Sequence, residues 1–417
     1  MFGLPKSLYQ VLVPHQEVLR GRIVEILNLA EIYIYNTYKD REDIPIVIKS
    51  IIEDARENPM ADPKKFMERT YLSDNMRTLL YKVYGALAGL TNVYIKRSKS
   101  EYRVINSSNR VYVLPSLLGG GKTHLMTLIY YVALLYNRYG VSHALYSILR
   151  VVGKTFAEEI MDLLKNIGEH SKINTVILVG DHDILSPTPI RPFEIDGYTI
   201  RTPWGLFFYQ LGLYDKYREF DYQILVPGVD TLREALRGKN VLVLIDEAVS
   251  YYSRVKILSE HKGLEGAYAT FIKNLAEAIS KTPCTVLVLS IPAEFREGIL
   301  SRAEHSPEDV RAIYDLVART NHDIIPPLDI KRDIAQVLRR RIFGDPIEKL
   351  QDLGRSLSNY IVQISNRDNY LMRSIEAKYG SLDRFTYLIK ENYPFHPYYI
   401  ELLVNLGSHL PDIGRTR

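Results

Sequence analysis

Apolar positions along the chain change their period twice. From Glu17 to Tyr38 they fall at Val18, Ile23, Ile26, Leu27, Ala30 and Ile34, close to the 3.6-residue repeat of an amphipathic helix. Ile44 to Arg56 predicts a shorter helix, and Pro59 and Pro63 then punctuate the chain. Asp62 before Pro63 reads as a helix start, because proline has no N–H to lose at the first helical position. A further helix is predicted from Asp74 to Leu90. Together these segments predict an N-terminal helical region over 1–107.

From about residue 108 the pattern becomes strand and helix in alternation. Short apolar bursts occur at Val111–Leu114, Thr175–Val179, Val241–Ile245 and Thr285–Leu289. Runs of this length, rich in Val, Ile and Leu, suit parallel strands buried on both faces. The helical stretches between them are Lys122–Arg138, Lys154–Ile167, Thr231–Arg237 and Gly266–Ser280. Such alternation predicts a parallel α/β sheet. Asp196-Gly197, between Phe193–Ile195 and Tyr198–Ile200, is a two-residue hairpin signal inside an insertion near 186–228. After Pro326-Pro327 the pattern is helical again, at 329–342, 347–365, 370–379, 384–391 and 396–409. The expected organisation is therefore a helical region over 1–107, an α/β core over 108–328 and a helical lid over 329–417.

Composition narrows the class. With 46% hydrophobic and 24% charged residues the chain is an ordinary globular one, which excludes disorder and low-complexity classes. The longest mostly apolar stretch, Leu125 to Tyr136, falls short of the roughly 20 residues a bilayer requires. No basic-then-apolar leader opens the sequence, so a protein without membrane insertion is expected. A single cysteine, Cys284, excludes an internal disulfide and a cysteine-built zinc site, and a cytoplasmic location is expected. Cysteine scarcity, with many Glu, Lys and Arg, fits a thermophile or simply lineage codon bias. Lys and Arg number 53 against 49 Asp and Glu, and the resulting charge of +4 does not by itself argue nucleic-acid binding.

Chemistry concentrates in two segments. Ser116-Leu-Leu-Gly119-Gly120-Gly121-Lys122-Thr123 follows a predicted strand and opens a predicted helix, the context of a phosphate-binding P-loop. Glycines let successive N–H groups converge on one anion, and the helix N-terminus adds partial positive charge. Lys122 is expected on the β- and γ-phosphates and Thr123 on Mg²⁺. Ser116 stands where the usual pattern has glycine. The second segment, Val241-Leu-Val-Leu-Ile-Asp246-Glu247, ends a buried strand in two carboxylates, which is costly unless they face a cation or solvent. Asp246 suits the magnesium shell and Glu247 the general base that activates water. His124 is placed with the nucleotide-binding residues, local packing being its other reading. Asp181-His182-Asp183 reads as a loop or as part of the nucleotide cleft, and Arg339-Arg340-Arg341 as a solvated or interface face. Trp204 is expected to anchor the insertion, and Cys284 to be structural.

These residues carry a resemblance. The chain is similar to a prokaryotic group of AAA+ ATPases labelled as a domain of unknown function, whose members are often encoded beside adenine-specific DNA methyltransferases in restriction-like or phage-defence clusters. The resemblance rests on Pro14-His15 with Gly21-Arg22, Asp62-Pro63 through Phe66 to Arg69-Thr70-Tyr71-Leu72, and Gly119-Gly-Gly-Lys-Thr-His124. It continues through Arg201-Thr202, Trp204-Gly205, Leu244-Ile245-Asp246-Glu247, Ser290-Ile-Pro292, Tyr393-Pro-Phe-His-Pro397 and Gly414-Arg-Thr-Arg417. It implies an AAA+-like P-loop NTPase fold. It also implies that Ser290, at the end of the Thr285 strand, helps position water, and that Arg319 reaches a neighbour's nucleotide. Arg415 and Arg417 would approach the γ-phosphate from the lid, which is expected to be truncated or differently completed because the family's sequence continues past that point. The expected function is Mg-dependent ATP binding and hydrolysis that remodels DNA or a DNA-modifying or defence partner. Expected partners are ATP, further copies of the chain, and DNA or a DNA methyltransferase. The alternative is a nucleotide-regulated interaction switch or scaffold with slow turnover.

Overall fold

Each apolar burst forms a strand. The computed structural model describes residues 14–20, 27–96, 101–116, 121–168, 171–258, 263–296, 299–343 and 347–409. In chain order the strands are β1 (Asn92–Lys96), β2 (Tyr102–Asn106), β3 (Val111–Pro115), β4 (Ile173–Val179), β5 (Phe193–Ile195) and β6 (Tyr198–Ile200). They continue with β7 (Asn240–Asp246), β8 (Thr285–Ile291), β9 (Ala293–Arg296), β10 (Ile299–Ala303) and β11 (His322–Ile324). Five of them form one parallel sheet in the order β11-β3-β8-β7-β4. Every residue of β3 and β8 is buried, which explains their unbroken apolar runs. Helices Asp74–Leu87, Lys122–Tyr139 and Leu264–Ser280 pack on the sheet.

Register decides where chemistry can gather. Pro115 lies level with Ile291, Ile245 with Leu289, and Asp246 with Val179. The carboxyl ends of β3, β8, β7 and β4 therefore share one rim. Because β8 lies between β3 and β7, the ends of all three strands face a common space outside that rim, where open α/β sheets bind ligands.

The chain divides into two units, residues 26–67 with 72–328, and residues 1–25 with 68–71 and 329–417. Most of the segment read as an N-terminal helical region belongs with the sheet. The helix expected over Glu17–Tyr38 is not continuous. Asn28 Oδ1 accepts the Glu31 N–H at 2.8 Å and Glu31 Oε2 accepts the Asn28 N–H at 3.0 Å, a capping box that starts the helix at Leu29. Asp62 caps the next segment as expected, accepting the Lys65 N–H at 2.8 Å.

The insertion is held together by internal polar contacts and joined to Arg41 by one more. Asp196 and Gly197 both take positive φ, 52° and 78°, as a two-residue hairpin requires. Asp196 accepts from Arg41 at 2.5 Å and from Tyr209 at 2.6 Å. Trp204 is buried and donates to the Phe220 carbonyl at 3.0 Å. Beside it, the buried Asp221 carboxylate accepts from Arg201 N at 3.0 Å, Thr202 Oγ1 at 2.5 Å and Tyr214 OH at 2.7 Å. A buried carboxylate so supplied with donors is held without a cation.

In the other unit, helices Ile347–Ser365, Asn369–Tyr379 and Leu382–Asn392 enclose Ile375, Phe385 and Ile389, with Leu357, Ile361 and Leu371 packed around them. The arginine triplet does not form a solvated face. Arg339 is 2% exposed, and donates to the Glu391 carbonyl and to Gln336 Oε1, both at 2.9 Å. Arg340 and Arg341 are half-buried, and burial lowers the pKa of all three guanidinium groups. Helix Ile330–Ile342 packs against both Leu382–Asn392 and Pro397–His409, and Arg339 meets the first of these at Glu391. Among the described residues no helix is long and apolar enough to cross a membrane.

Candidate functional site

Helix Lys122–Tyr139 starts directly from the glycine run, with Gly121 at φ 83° accepting the Leu125 N–H at 2.9 Å. Lys122 is buried, and its Nζ donates to the Ser116 carbonyl at 2.5 Å, just past the end of β3. Gly119 and Gly120 lie outside the described residues.

Thr123 follows on the first helical turn and reaches the end of β7. Its Oγ1 donates to Asp246 Oδ2 at 2.7 Å. Asp246 is 2% exposed, and its other oxygen accepts from the Ser290 hydroxyl at the end of β8. The Glu247 N–H points into the same group, 3.1 Å from Asp246 Oδ1 and 3.0 Å from Ser290 Oγ. Thus Lys122, Thr123, Asp246, Glu247 and Ser290 converge on the rim formed by the parallel register.

Glu247 takes a left-handed backbone, φ 52° and ψ 41°, between β7 and helix Ala248–Lys256. A β-carbon at Gly180, just after β4, would sit 1.8 Å from the Glu247 carbonyl oxygen and 2.9 Å from Tyr251 N. Gly180 N also donates to the Asp246 carbonyl at 2.8 Å. Glycine is thus what lets the β4 loop close on the backbone that carries both carboxylates. Gly180→Ala has only main-chain atoms to push against. It is expected to destabilise the fold by about 1–3 kcal/mol. Urea denaturation measures this, and an unchanged midpoint would refute the close approach.

Burial, followed by the neighbouring Asp246 charge, pushes the Glu247 carboxyl up to about 7, while Lys122 and a Ser250 hydrogen bond pull the other way. A group at that value can take a proton from water and release it near neutral pH.

The remaining candidates are placed differently. His124 stacks on Phe66 with ring centroids 4.4 Å apart. Arg319 is exposed, in the turn between helix Pro307–Val317 and β11. Arg415 and Arg417 lie outside the described residues. Asp183 in the β4 loop accepts from Arg254 at 3.1 Å and Arg191 at 3.4 Å, and burial lowers the His182 pKa to about 4. Cys284 takes φ 58° just before β8, and its carbonyl accepts the Val241 N–H at 3.1 Å, a structural place. Two residues near the carboxylates were not singled out in the sequence, Ser250 and His305. Ser250 Oγ donates to Glu247 Oε2 at 2.9 Å and lies 3.2 Å from His305 Nε2. Ser250 could have been found from its i+3 spacing to Glu247 at a helix start. His305 is distant in sequence, and nothing local marks it.

Among the described residues no cluster of three or more His, Cys, Asp or Glu side chains is arranged to hold a metal. The Thr123 hydroxyl and Asp246 carboxylate form a smaller oxygen donor set. Mg²⁺ is usually held this way, by one or two carboxylates together with substrate phosphates.

Comparison with known proteins gives two family matches that together span most of the chain. The DUF499 N-terminal domain matches residues 34–324, and the DUF499 second domain matches residues 329–417. No curated protein and no solved structure matches.

Proposed function

The chain belongs to the DUF499 family, and on that premise we propose that it is a Mg-dependent ATPase of the AAA+-like P-loop class. The observation that carries this reading is the 2.7 Å hydrogen bond between Thr123 Oγ1 and Asp246 Oδ2. It brings the hydroxyl beside the glycine run to the carboxylate that ends β7. A hydroxyl and a carboxylate oxygen side by side are oxygen donors of the kind Mg²⁺ takes together with substrate phosphates, so this pair would suit the ion. Bound there, Mg²⁺ would neutralise charge on the β- and γ-phosphate oxygens.

The side chains divide the remaining work. Lys122 places a cation on the phosphates, and the N-terminus of its helix adds partial positive charge. Glu247 accepts a proton from water as the water oxygen bonds to the γ-phosphorus. The bond from that phosphorus to the β–γ bridging oxygen breaks, and its electron pair stays on ADP. The Ser290 hydroxyl orients Asp246 and the water beside it. Positioning and fixed charge of this kind supply most of what phosphoryl transfer needs.

The hydrolysis would remodel DNA or a DNA-modifying or defence partner in the cytoplasm, in an assembly of several copies. The deciding experiment measures ATPase rate with and without duplex DNA, alongside particle size with and without Mg-ATP. A chain that neither binds nor hydrolyses ATP overturns the proposal. One that binds tightly with negligible turnover is instead a nucleotide-regulated switch.

Arg319 is suited to complete a neighbour's site, since it is exposed and guanidinium carries a fixed charge. Arg319→Ala is expected to retain ATP binding while losing turnover and ATP-induced oligomers. Mixed with inactive Glu247→Gln chains, it should regain some activity. A protein that stays monomeric in saturating Mg-ATP, with no rescue on mixing, has no such shared site.

A further inference from the structure

A side chain that must accept a proton from water has to be aimed as well as ionised, and β7 alone does not aim Glu247. We propose that Ser250 and His305 form a hydrogen-bond relay that positions the Glu247 carboxylate and links it to the β9–β10 hairpin. This inference rests on the ATPase reading above.

The direction of the relay follows from the groups. An ionised carboxylate only accepts, so the hydroxyl 2.9 Å from Glu247 Oε2 donates its proton there. The Ser250 oxygen is then free to accept the N–H of His305 Nε2, at 3.2 Å. His305 thereby fixes the rotation of the hydroxyl, and the hydroxyl fixes one oxygen of Glu247. The other oxygen is left for water.

His305 is in turn fixed by what surrounds it. The β9–β10 hairpin begins two residues after β8 and returns antiparallel, pairing Ala293 with Ala303 and Arg296 with Ile299. Its base is closed by the Glu304 N–H donating to the Pro292 carbonyl at 3.0 Å, and His305 is the next residue. Beyond it, Ser306 caps helix Pro307–Val317 by accepting the Asp309 N–H at 3.2 Å. Asp309 holds the helix that follows Glu247 at two further points, accepting from Ser253 at 2.6 Å and from Lys256 at 2.7 Å. Ser250, Ser253 and Lys256 thus bind one helix to one short segment, 305–309. Displacing the hairpin base shifts His305 relative to that clamp and turns the base away from its aim. The hairpin starts at the same strand end as Ser290, so the device reports on a structure rooted beside the site.

The test uses the full-length chain. Ser250→Ala is expected to lower kcat about 10- to 100-fold, the scale of misplacing a reacting group. His305→Ala is expected to lower it about 2- to 10-fold, the scale of one lost neutral hydrogen bond. Both should leave Mg-ATP affinity unchanged by calorimetry. Ser250→Thr and His305→Gln, which keep a hydroxyl and an N–H donor, should restore most of the rate. In a Glu247→Gln background Ser250→Ala should cost nothing more. Without nucleotide, the unfolding midpoints of Ser250→Ala, His305→Ala and the pair should be non-additive. Active variants at wild-type kcat, or additive midpoints, overturn the relay while leaving the ATPase reading intact. A parent chain with no turnover overturns the reading, and the relay's role with it.

Discussion

Glu247→Gln is expected to bind Mg-ATP as the parent chain does and to hydrolyse it about 10²–10⁴-fold more slowly, the usual cost of losing a general base. The amide keeps the size of the side chain and can still accept from Ser250, so the site keeps its shape. What it loses is a basic oxygen able to take the proton of water. A second consequence appears in stability without nucleotide or divalent cation. The Glu247 carboxyl sits at about 7 in the fold, against an ordinary value of 4.5, because of its burial and then the Asp246 charge. The protonated form therefore favours the fold. Its contribution is complete below pH 4.5 and is lost as pH rises through about 7. Glutamine never ionises, so the variant should gain on the parent above pH 7, by of order 3 kcal/mol at most, and should match it near pH 4. Single-turnover kinetics and urea denaturation at both ends of that range check the two halves. Parental turnover would assign the base elsewhere, and equal stability at pH 8 would show that the carboxyl is not held high.

Lys122→Ala is expected to cost about 10- to 100-fold in ATP affinity, the scale of one charge-assisted hydrogen bond of about 1.5–3 kcal/mol. Lys122 is 5% exposed with its ammonium at the Ser116 carbonyl, just past the end of β3, so the cation is already held inside the fold. Truncation leaves Asp246 and Glu247 facing phosphate with less opposing charge. Calorimetry on the variant decides it, and unchanged ATP affinity would remove Lys122 from the phosphates.

The chemistry was legible in the sequence where it is local. A glycine run between a buried burst and a helix, and two carboxylates ending another burst, are consecutive residues whose proposed roles follow from position. Strands β3, β4, β7 and β8 were readable for the same reason, since burial on both faces leaves long apolar runs in each. What escaped reading depends on packing. The β1–β2 hairpin buries only Val93 and Ile105 on its strands, so its alternation is weak. The break before Leu29 is made by a single asparagine inside an otherwise helical period. The arginine triplet looks solvated until Leu382–Asn392 covers Arg339. Gly180 and His305 matter only because β4 and the segment after β10 come to the end of β7.

That dependence has a kinetic side. Thr123 meets Asp246 across 123 residues of chain, and Ser290 meets it across 44. In a parallel sheet such meetings wait for the crossovers, so loop closure comes before the contacts that reward it. β8 carries Ser290 and is the last of the three central strands in chain order, yet it lies between β3 and β7. A chain emerging from synthesis therefore carries its glycine run and both carboxylates well before it carries the assembled candidate site. The site closes only when β8 enters the gap between them.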